Sequence, residues 1–210
     1  IKALDEDRYL RKLDGRMADV DTVFGDEIFK ANSTALNVLL PLLNERIVHN
    51  DGAMKKCPLR VFVGASNELP QGDNLGALWD RLLIRRYVQP VRGADRTRLL
   101  QSSLSTGSAS ASAATMAQSD LEALGRAVGD LSALPMDADV FDAIDAVRTH
   151  METLSEPIVY GDRRWVKSLA LVRADAMVQG ESDVHSGHME VLEHSLWDKP
   201  EAIPVVRRIV

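Results

Sequence analysis

The fold class this sequence predicts is an α/β layer built on a parallel sheet, followed by an all-α segment. Three observations predict it. Two short apolar runs, Thr22–Asp26, which ends in acid, and Leu59–Ala65 bracket a helical stretch. A run of Ser, Ala, Thr and Gly over 101–119 then interrupts the apolar patterning. Beyond it, the apolar residues recur at helical spacing throughout.

Each element has its own warrant. The two apolar runs lack polar alternation, the pattern of strands buried on both faces of a parallel sheet. Arg86–Val91 is a third, weaker strand candidate. Between the first two, Leu36, Leu39, Leu40 and Leu43 recur at helical spacing from Ser33 to Asn44, with Asn32 or Ser33 as N-cap. Pro41 lies inside that helix, where a lost hydrogen bond and a ring clash cost about 3 kcal/mol or force a kink. Arg46 to Lys55 predicts a hairpin around Asn50-Asp51-Gly52, since Asp-Gly favours the positive φ of a tight turn. The 101–119 stretch buries too little apolar surface to offset its ordering entropy, so it reads as a linker or long loop. Four helical faces follow: Leu121/Leu124/Val128, Val140/Ile144/Val147, Val166/Leu169/Val172 and Met189/Leu192/Leu196. The expected division is a core over 1–100, a linker over 101–119 and a helical segment over 120–210.

Composition narrows the function. Lys and Arg number 25 against 31 Asp and Glu, a net charge of −6 that argues against a general binder of nucleic-acid phosphates. The single cysteine, Cys57, has no partner for an internal disulfide or at metal-ligand spacing and fits a reducing compartment. No apolar run approaches the roughly 20 residues of a membrane span. His185, His188 and His194 read as part of a solvated helix start capped by Ser186, and Arg92, Arg96 and Arg98 as another solvated helix start. The opening residue, Ile1, leads us to expect the natural start upstream, so no targeting segment can be read.

The chemistry concentrates at three places. Asp26-Glu27 ends the first strand, at the edge where open α/β sheets place their ligands. One such carboxylate can ligate Mg²⁺, and its neighbour can orient or deprotonate a water. Asn67 follows the second strand and can donate to a phosphate oxygen or align a water. Arg81, within Leu78–Arg86, offers a planar guanidinium to a developing phosphoryl charge.

Taken together, strand-Asp-Glu, helix, hairpin, strand-Asn and Asp-Arg resemble the order of Walker B, pre-sensor hairpin, sensor 1 and arginine finger in AAA+ ATPases. GDEIFKANSTALNVLLPLLNER, VFVGASNELP and ALWDRLLIRR resemble the MoxR family and, within it, the RavA branch. YGDRRWVKSLALVRADAMVQG and LEHSLW resemble that branch's α-helical lid. The resemblance implies the second half of a three-layer P-loop NTPase core followed by a lid, with ATP and Mg²⁺ as cofactors. It implies Asp26 as Mg²⁺ ligand, Glu27 as catalytic base and Asn67 as sensor 1. Arg81, or alternatively Arg85, would be the finger presented to a neighbouring subunit. Arg163, or Arg164 beside it, would be sensor 2. The family also implies a cytoplasmic ring, usually a hexamer, that remodels proteins in a chaperone-like way with a von Willebrand factor A-domain partner.

Two departures qualify the match. Gly25 stands where the family usually has a large apolar residue, which is expected to weaken strand packing. No G-x-x-x-x-G-K-[ST] occurs in the 210 residues, so the Gly-rich phosphate cradle is expected upstream of Ile1. The residues present are therefore expected not to build a complete AAA+ sheet, and this chain alone is expected not to turn over ATP. Two rival functions are a non-hydrolysing scaffold module and a nucleic-acid motor, the latter disfavoured by the acidic balance.

Overall fold

The computed structural model describes residues 2–3, 8–9, 17–50, 53–105 and 117–210. The chain divides into two compact units, Ile1–Leu82 and Leu83–Val210. Residues 83–100, expected with the core, thus pack within the second unit.

The first unit holds strands β1 (Lys2–Ala3), β2 (Arg8–Tyr9), β3 (Thr22–Gly25), β4 (Ile47–Asn50), β5 (Ala53–Lys56) and β6 (Val61–Gly64), with helices α1 (Ser33–Glu45) and α2 (Asp73–Arg81). Asn32 caps α1, its side chain accepting from the Ala35 amide at 2.9 Å, which satisfies one of the donors a helix start leaves free. Pro41 is accommodated within the helix, and Arg46 closes it in the left-handed region at φ 57°. The hairpin pairs Ile47 with Lys56 through to Asn50 with Ala53, and its Asp51-Gly52 tip lies outside the described residues.

β3 and β6 pair in parallel, Thr22 opposite Val61 through to Gly25 opposite Gly64. Register partners share a face, so Val23 and Phe62 point one way and Phe24, Val61 and Val63 the other. The first face is packed: Val23 is buried with Leu42, Val48, Cys57 and Leu59, and Phe62 and Leu43 border this cluster. Phe62 and Leu43 also border a second cluster of Ile28, Phe29, Leu36 and Leu78, where the Phe29 and Trp79 rings meet edge-on at 5.6 Å. The opposite face corrects the expectation of strands buried on both sides. Phe24 is 66% exposed and Val61 and Val63 are 48% exposed, because nothing among the described residues covers them. The pairing is unbroken, and among the described residues this sheet has two strands. Arg86–Val91 forms no strand, and Tyr87, Val88 and Val91 are exposed.

The two glycines facing each other at the strand ends are structural rather than a packing defect. Ile28 folds back over both. A Cβ on Gly25 would lie 2.8 Å from Ile28 Cγ2, and one on Gly64 would lie 2.5 Å from Ile28 Cδ1. Gly25 therefore makes room for the residue that follows Glu27, which corrects its reading as a weakened strand position. Overpacking a filled core site costs about 1–3 kcal/mol. Gly25→Ala is expected to lower stability within that range, read as a lower denaturant midpoint at unchanged slope.

The second unit contains α3 (Ala94–Ser105), α4 (Gln118–Asp130), α5 (Ala138–Glu152), α6 (Asp162–Gln179) and α7 (Ile203–Ile209). A 3-10 segment, Ser186–His194, lies between the last two. Its core joins Val140, Val147 and Met151 of α5 to Trp165, Val172 and Ala176 of α6, and to Met189, Leu192, Leu196 and Val206. Several expected faces differ. Leu124 and Val128 are exposed at 48% and 55%, leaving that side of α4 unburied. On α6 the buried residues are Arg164, Trp165, Ser168, Leu171, Val172 and Ala176, while Val166 is 66% exposed. The bulky indole takes the core position one place earlier than the aliphatic spacing suggests. Met189–Leu196 does turn inward, but largely on 3-10 geometry. That segment is capped by His185 rather than Ser186, through Gly187 N at 3.1 Å, with His188 buried beneath.

α3 carries helix into the first positions of the Ser/Ala-rich stretch. Ser102 and Ser103 donate to the Leu99 and Leu100 carbonyls at 2.8 and 2.7 Å, so their hydroxyls are satisfied within the helix. Residues 106–116 of the stretch lie outside the described residues. Among the described residues, no helix is long and apolar enough to cross a membrane.

Candidate functional site

Parallel pairing puts the carboxyl ends of β3 and β6 side by side, and the ladder continues past them. Ala65 N donates to Gly25 O at 2.8 Å, and Ile28 N donates to Ala65 O at 3.1 Å. The residues after β3 are thereby tied to those after β6, which brings Asp26 and Glu27 next to Asn67.

The backbone at Glu27 is left-handed, φ 51° and ψ 41°. That region costs a non-glycine residue on the order of 1–3 kcal/mol and persists only where neighbours impose it. Here Asp26 Oδ1 accepts from the Glu27 amide at 2.9 Å. Lys30 N donates to Glu27 O at 2.9 Å and closes a 3-10 turn over Ile28–Lys30. The sharp turn lifts the Glu27 side chain toward the end of β6 instead of along its own strand.

The two oxygens of Glu27 differ. Oε1 accepts from Asn67 Nδ2 at 3.2 Å and faces Lys30 Nζ at 3.4 Å. Oε2 is buried and has no hydrogen-bond partner among the described residues. Lys30 Nζ also lies 3.9 Å from Glu68 Oε1. A carboxylate held through one oxygen, with a lone pair free on the other, is suited to accept a proton from water. Asp26 is exposed beside it and supplies the hard oxygen donor that Mg²⁺ prefers, so the residue types fit that ion.

Asp26, Glu27 and Asn67 are thus brought together, whereas Arg81, in the same unit, is not bonded to them. Arg81 is the last residue of α2, and its Nη1 donates back to Ala77 O at 2.6 Å. Among the described residues it shares no hydrogen bond or ion pair with Asp26, Glu27 or Asn67.

Arg85, Arg163 and Arg164 belong to the second unit. Arg85 is buried, its Nη1 bonding the Trp197 carbonyl and Asp198 Oδ1, the latter at 2.9 Å. Burial first, and then the nearby charge of Arg164, bring the Arg85 guanidinium down to about 10. Arg164 is also buried, donating from Nε and Nη2 to Ser195 O at 3.0 and 2.5 Å and from Nη2 to Leu83 O at 3.3 Å. Its guanidinium lies 4.9 Å from the centre of the Tyr160 ring, whose hydroxyl is pushed above its ordinary range chiefly by burial. Arg163, in the first turn of α6, is exposed.

The sequence reading missed Lys30. The signal was present in GDEIFK, a lysine three residues beyond the glutamate, but it acquires meaning only through the 3-10 turn that stacks the two.

A family model of the MoxR domain in the MoxR-vWA-beta-propeller ternary systems matches residues 1–126, and one of an AAA lid domain matches residues 139–210. Two uncharacterized proteins of Methanocaldococcus jannaschii are 31% and 34% identical to this chain over 207 and 198 residues. They cover 98% and 94% of the chain, which spans about half the length of each, 52% and 50%. The crystal structure of a proposed ATPase from Cytophaga hutchinsonii superposes with a TM-score of 0.61, covering 93% of this chain and 67% of that one. Its 13% identity makes this a likeness of fold. With an α/β P-loop-type core followed by a helical lid, the chain belongs to the MoxR family of AAA+ ATPases.

Proposed function

We propose that this chain supplies the hydrolytic residues of an ATP-driven, chaperone-like ring of the RavA branch, cytoplasmic and hexameric. The observation that carries the reading is the Glu27 carboxylate, held by Asn67 where β3 and β6 end together, with Oε2 left without a partner among the described residues. In this reading Glu27 takes the proton of the attacking water through Oε2. Asn67 fixes the carboxylate and, as sensor 1, reports on the phosphate. Asp26 holds Mg²⁺, which supplies neutralisation of phosphate charge when ATP is bound. None of residues 1–210 matches the pattern of the phosphate-cradling loop, so this reading requires that loop to be supplied from outside them. A von Willebrand factor A-domain partner is supported by the description of the matched family, which pairs MoxR with vWA and β-propeller proteins. By function, as distinct from packing, we divide the chain into a core over 1–100, a linker over 101–119 and a lid over 120–210.

The lid residue assigned to the nucleotide is Arg163. Exposure of Arg163 and burial of Arg164 against the Ser195 carbonyl support that choice between neighbours. Their substitutions should separate cleanly. Arg164→Ala leaves a buried carbonyl unsatisfied and a cavity, a loss of about 1–3 kcal/mol for the carbonyl alone. Arg163→Ala is expected to change stability by no more than about 0.5 kcal/mol, as surface substitutions do, while lowering ATP turnover. Thermal melts and phosphate release on both variants of the longer, P-loop-containing protein test this. Normal turnover by a stable Arg163→Ala variant would remove Arg163 from the site.

The overall reading is tested by phosphate release from that longer protein beside the 210-residue chain. Turnover by the first and none by the second is expected. A longer protein that binds ATP without hydrolysing it would favour a scaffold instead.

A further inference from the structure

Lys30 belongs to no role assigned so far, yet its ammonium meets the same oxygen of Glu27 that Asn67 holds. The separations are 3.4 Å from Lys30 Nζ and 3.2 Å from Asn67 Nδ2, both to Oε1. We propose that Lys30 is a positioning residue for the reaction, which with Asn67 occupies Oε1 of Glu27 and so selects Oε2 as the oxygen that receives the proton of the attacking water. This rests on the reading of Glu27 as the base.

The argument is geometric. A carboxylate with two equivalent free oxygens rotates about its last torsion, a broad and weakly defined well for glutamate. A hydrogen bond from Asn67 and an ion pair with Lys30 on the same oxygen restrict that freedom and aim the other. They come from different elements, Lys30 from the 3-10 turn after β3 and Asn67 from the segment after β6. The carboxylate is therefore gripped from both sides of the strand pair. Oε2, the atom left over, is buried and without a hydrogen-bond partner among the described residues, although the side chain as a whole is 34% exposed. A buried, unpartnered anionic oxygen is costly unless a ligand or water completes it, and a reacting water is such a partner.

Lys30 has a reason of its own to stay in place. Glu68 Oε1 lies 3.9 Å from the same ammonium, so Lys30 stands between two carboxylates. The Lys30 side chain is 55% exposed, and an exposed ion pair of this kind adds little to stability. Its consequence should then appear in the rate rather than in the folding.

The test uses the longer, P-loop-containing protein with four variants: Lys30→Met, Lys30→Arg, Glu27→Gln and the double variant Lys30→Met/Glu27→Gln. Lys30→Met is expected to lower kcat about tenfold, a part of the 10²–10⁴-fold that a general base supplies, with KM for ATP and the melting temperature unchanged. Lys30→Arg should recover most of the rate, since its guanidinium can donate to the same oxygen. In the double variant the lysine effect should vanish, because Lys30 acts only through Glu27. Wild-type kcat for Lys30→Met, or a tenfold loss that persists in the Glu27→Gln background, overturns the proposal for Lys30 alone. An active Glu27→Gln variant would instead overturn the reading beneath it, so the two failures are told apart.

Discussion

Glu27→Gln, placed in a version of the chain extended upstream through a P-loop, is expected to bind ATP within a few-fold of the unsubstituted version and to lose turnover by about 10²–10⁴-fold, the range supplied by a general base. The substitution keeps the shape of the side chain. The turn that carries it should survive, because the left-handed backbone is held by Asp26 Oδ1 on the Glu27 amide and by the Lys30 amide on the Glu27 carbonyl, neither of which involves the side chain. Asn67 can still donate to the amide oxygen of glutamine. Asp26 keeps its carboxylate. What disappears is the basic lone pair at the position of Oε2. Phosphate release and nucleotide-binding titration on the same preparation decide the matter. Retained turnover would assign the base elsewhere, and lost binding would mean that Glu27 contributes to the nucleotide site itself.

How much of this was legible in the sequence depends on what each feature needed. The helix from Ser33 was readable because cap and apolar spacing are both local, and the observed α1 ends one residue beyond the expectation. The hairpin was readable because Asp-Gly constrains its own turn. β3 and β6 were recognised as apolar runs, but their burial was not, since a strand's exposure depends on what covers each face. Phe24, Val61 and Val63 look like core in sequence and are 66%, 48% and 48% exposed. Gly25 was misread for a related reason: its use lies in the approach of Ile28, a contact across the strand end that no spacing rule reports. In the second unit, the aliphatic spacing on α6 missed at Val166, where Trp165 beside it takes the core position, while Val172 is buried as expected. At the site, the placing of Asp26, Glu27 and Asn67 at neighbouring strand ends was legible from the apolar runs they follow, while their expected roles came from the family resemblance. The difference between the two oxygens of Glu27 was not, because it depends on a left-handed residue and a 3-10 turn that sequence patterns do not reveal.

Arg81→Ala is expected to abolish hydrolysis as fully as Glu27→Gln does, and mixing the two variants is expected to restore part of it. Arginine fingers supplied in trans are worth about 10³–10⁵ in rate. The guanidinium of Arg81 folds back on Ala77 O and shares no hydrogen bond or ion pair with Asp26, Glu27 or Asn67 of its own chain among the described residues. The side chain is thus not committed to the Glu27 site of its own chain, as a residue serving a neighbour's nucleotide requires. In a closed ring each active site then needs Glu27 from one subunit and Arg81 from the next. A homogeneous ring of either variant lacks one of the two at every interface. In a random equal mixture, about a quarter of the interfaces join a subunit with an intact Glu27 to a neighbour with an intact Arg81. Turnover of mixed rings should therefore rise well above that of either variant alone and fall again as the ratio departs from equality. Arg85→Ala provides the contrast, because that guanidinium is buried and bonded to the Trp197 carbonyl and Asp198, so its loss should lower the melting temperature of the second unit. If the mixture stays inactive at every ratio while the variants demonstrably assemble together, Arg81 acts within its own subunit or not at all, and the finger must be sought in another arginine.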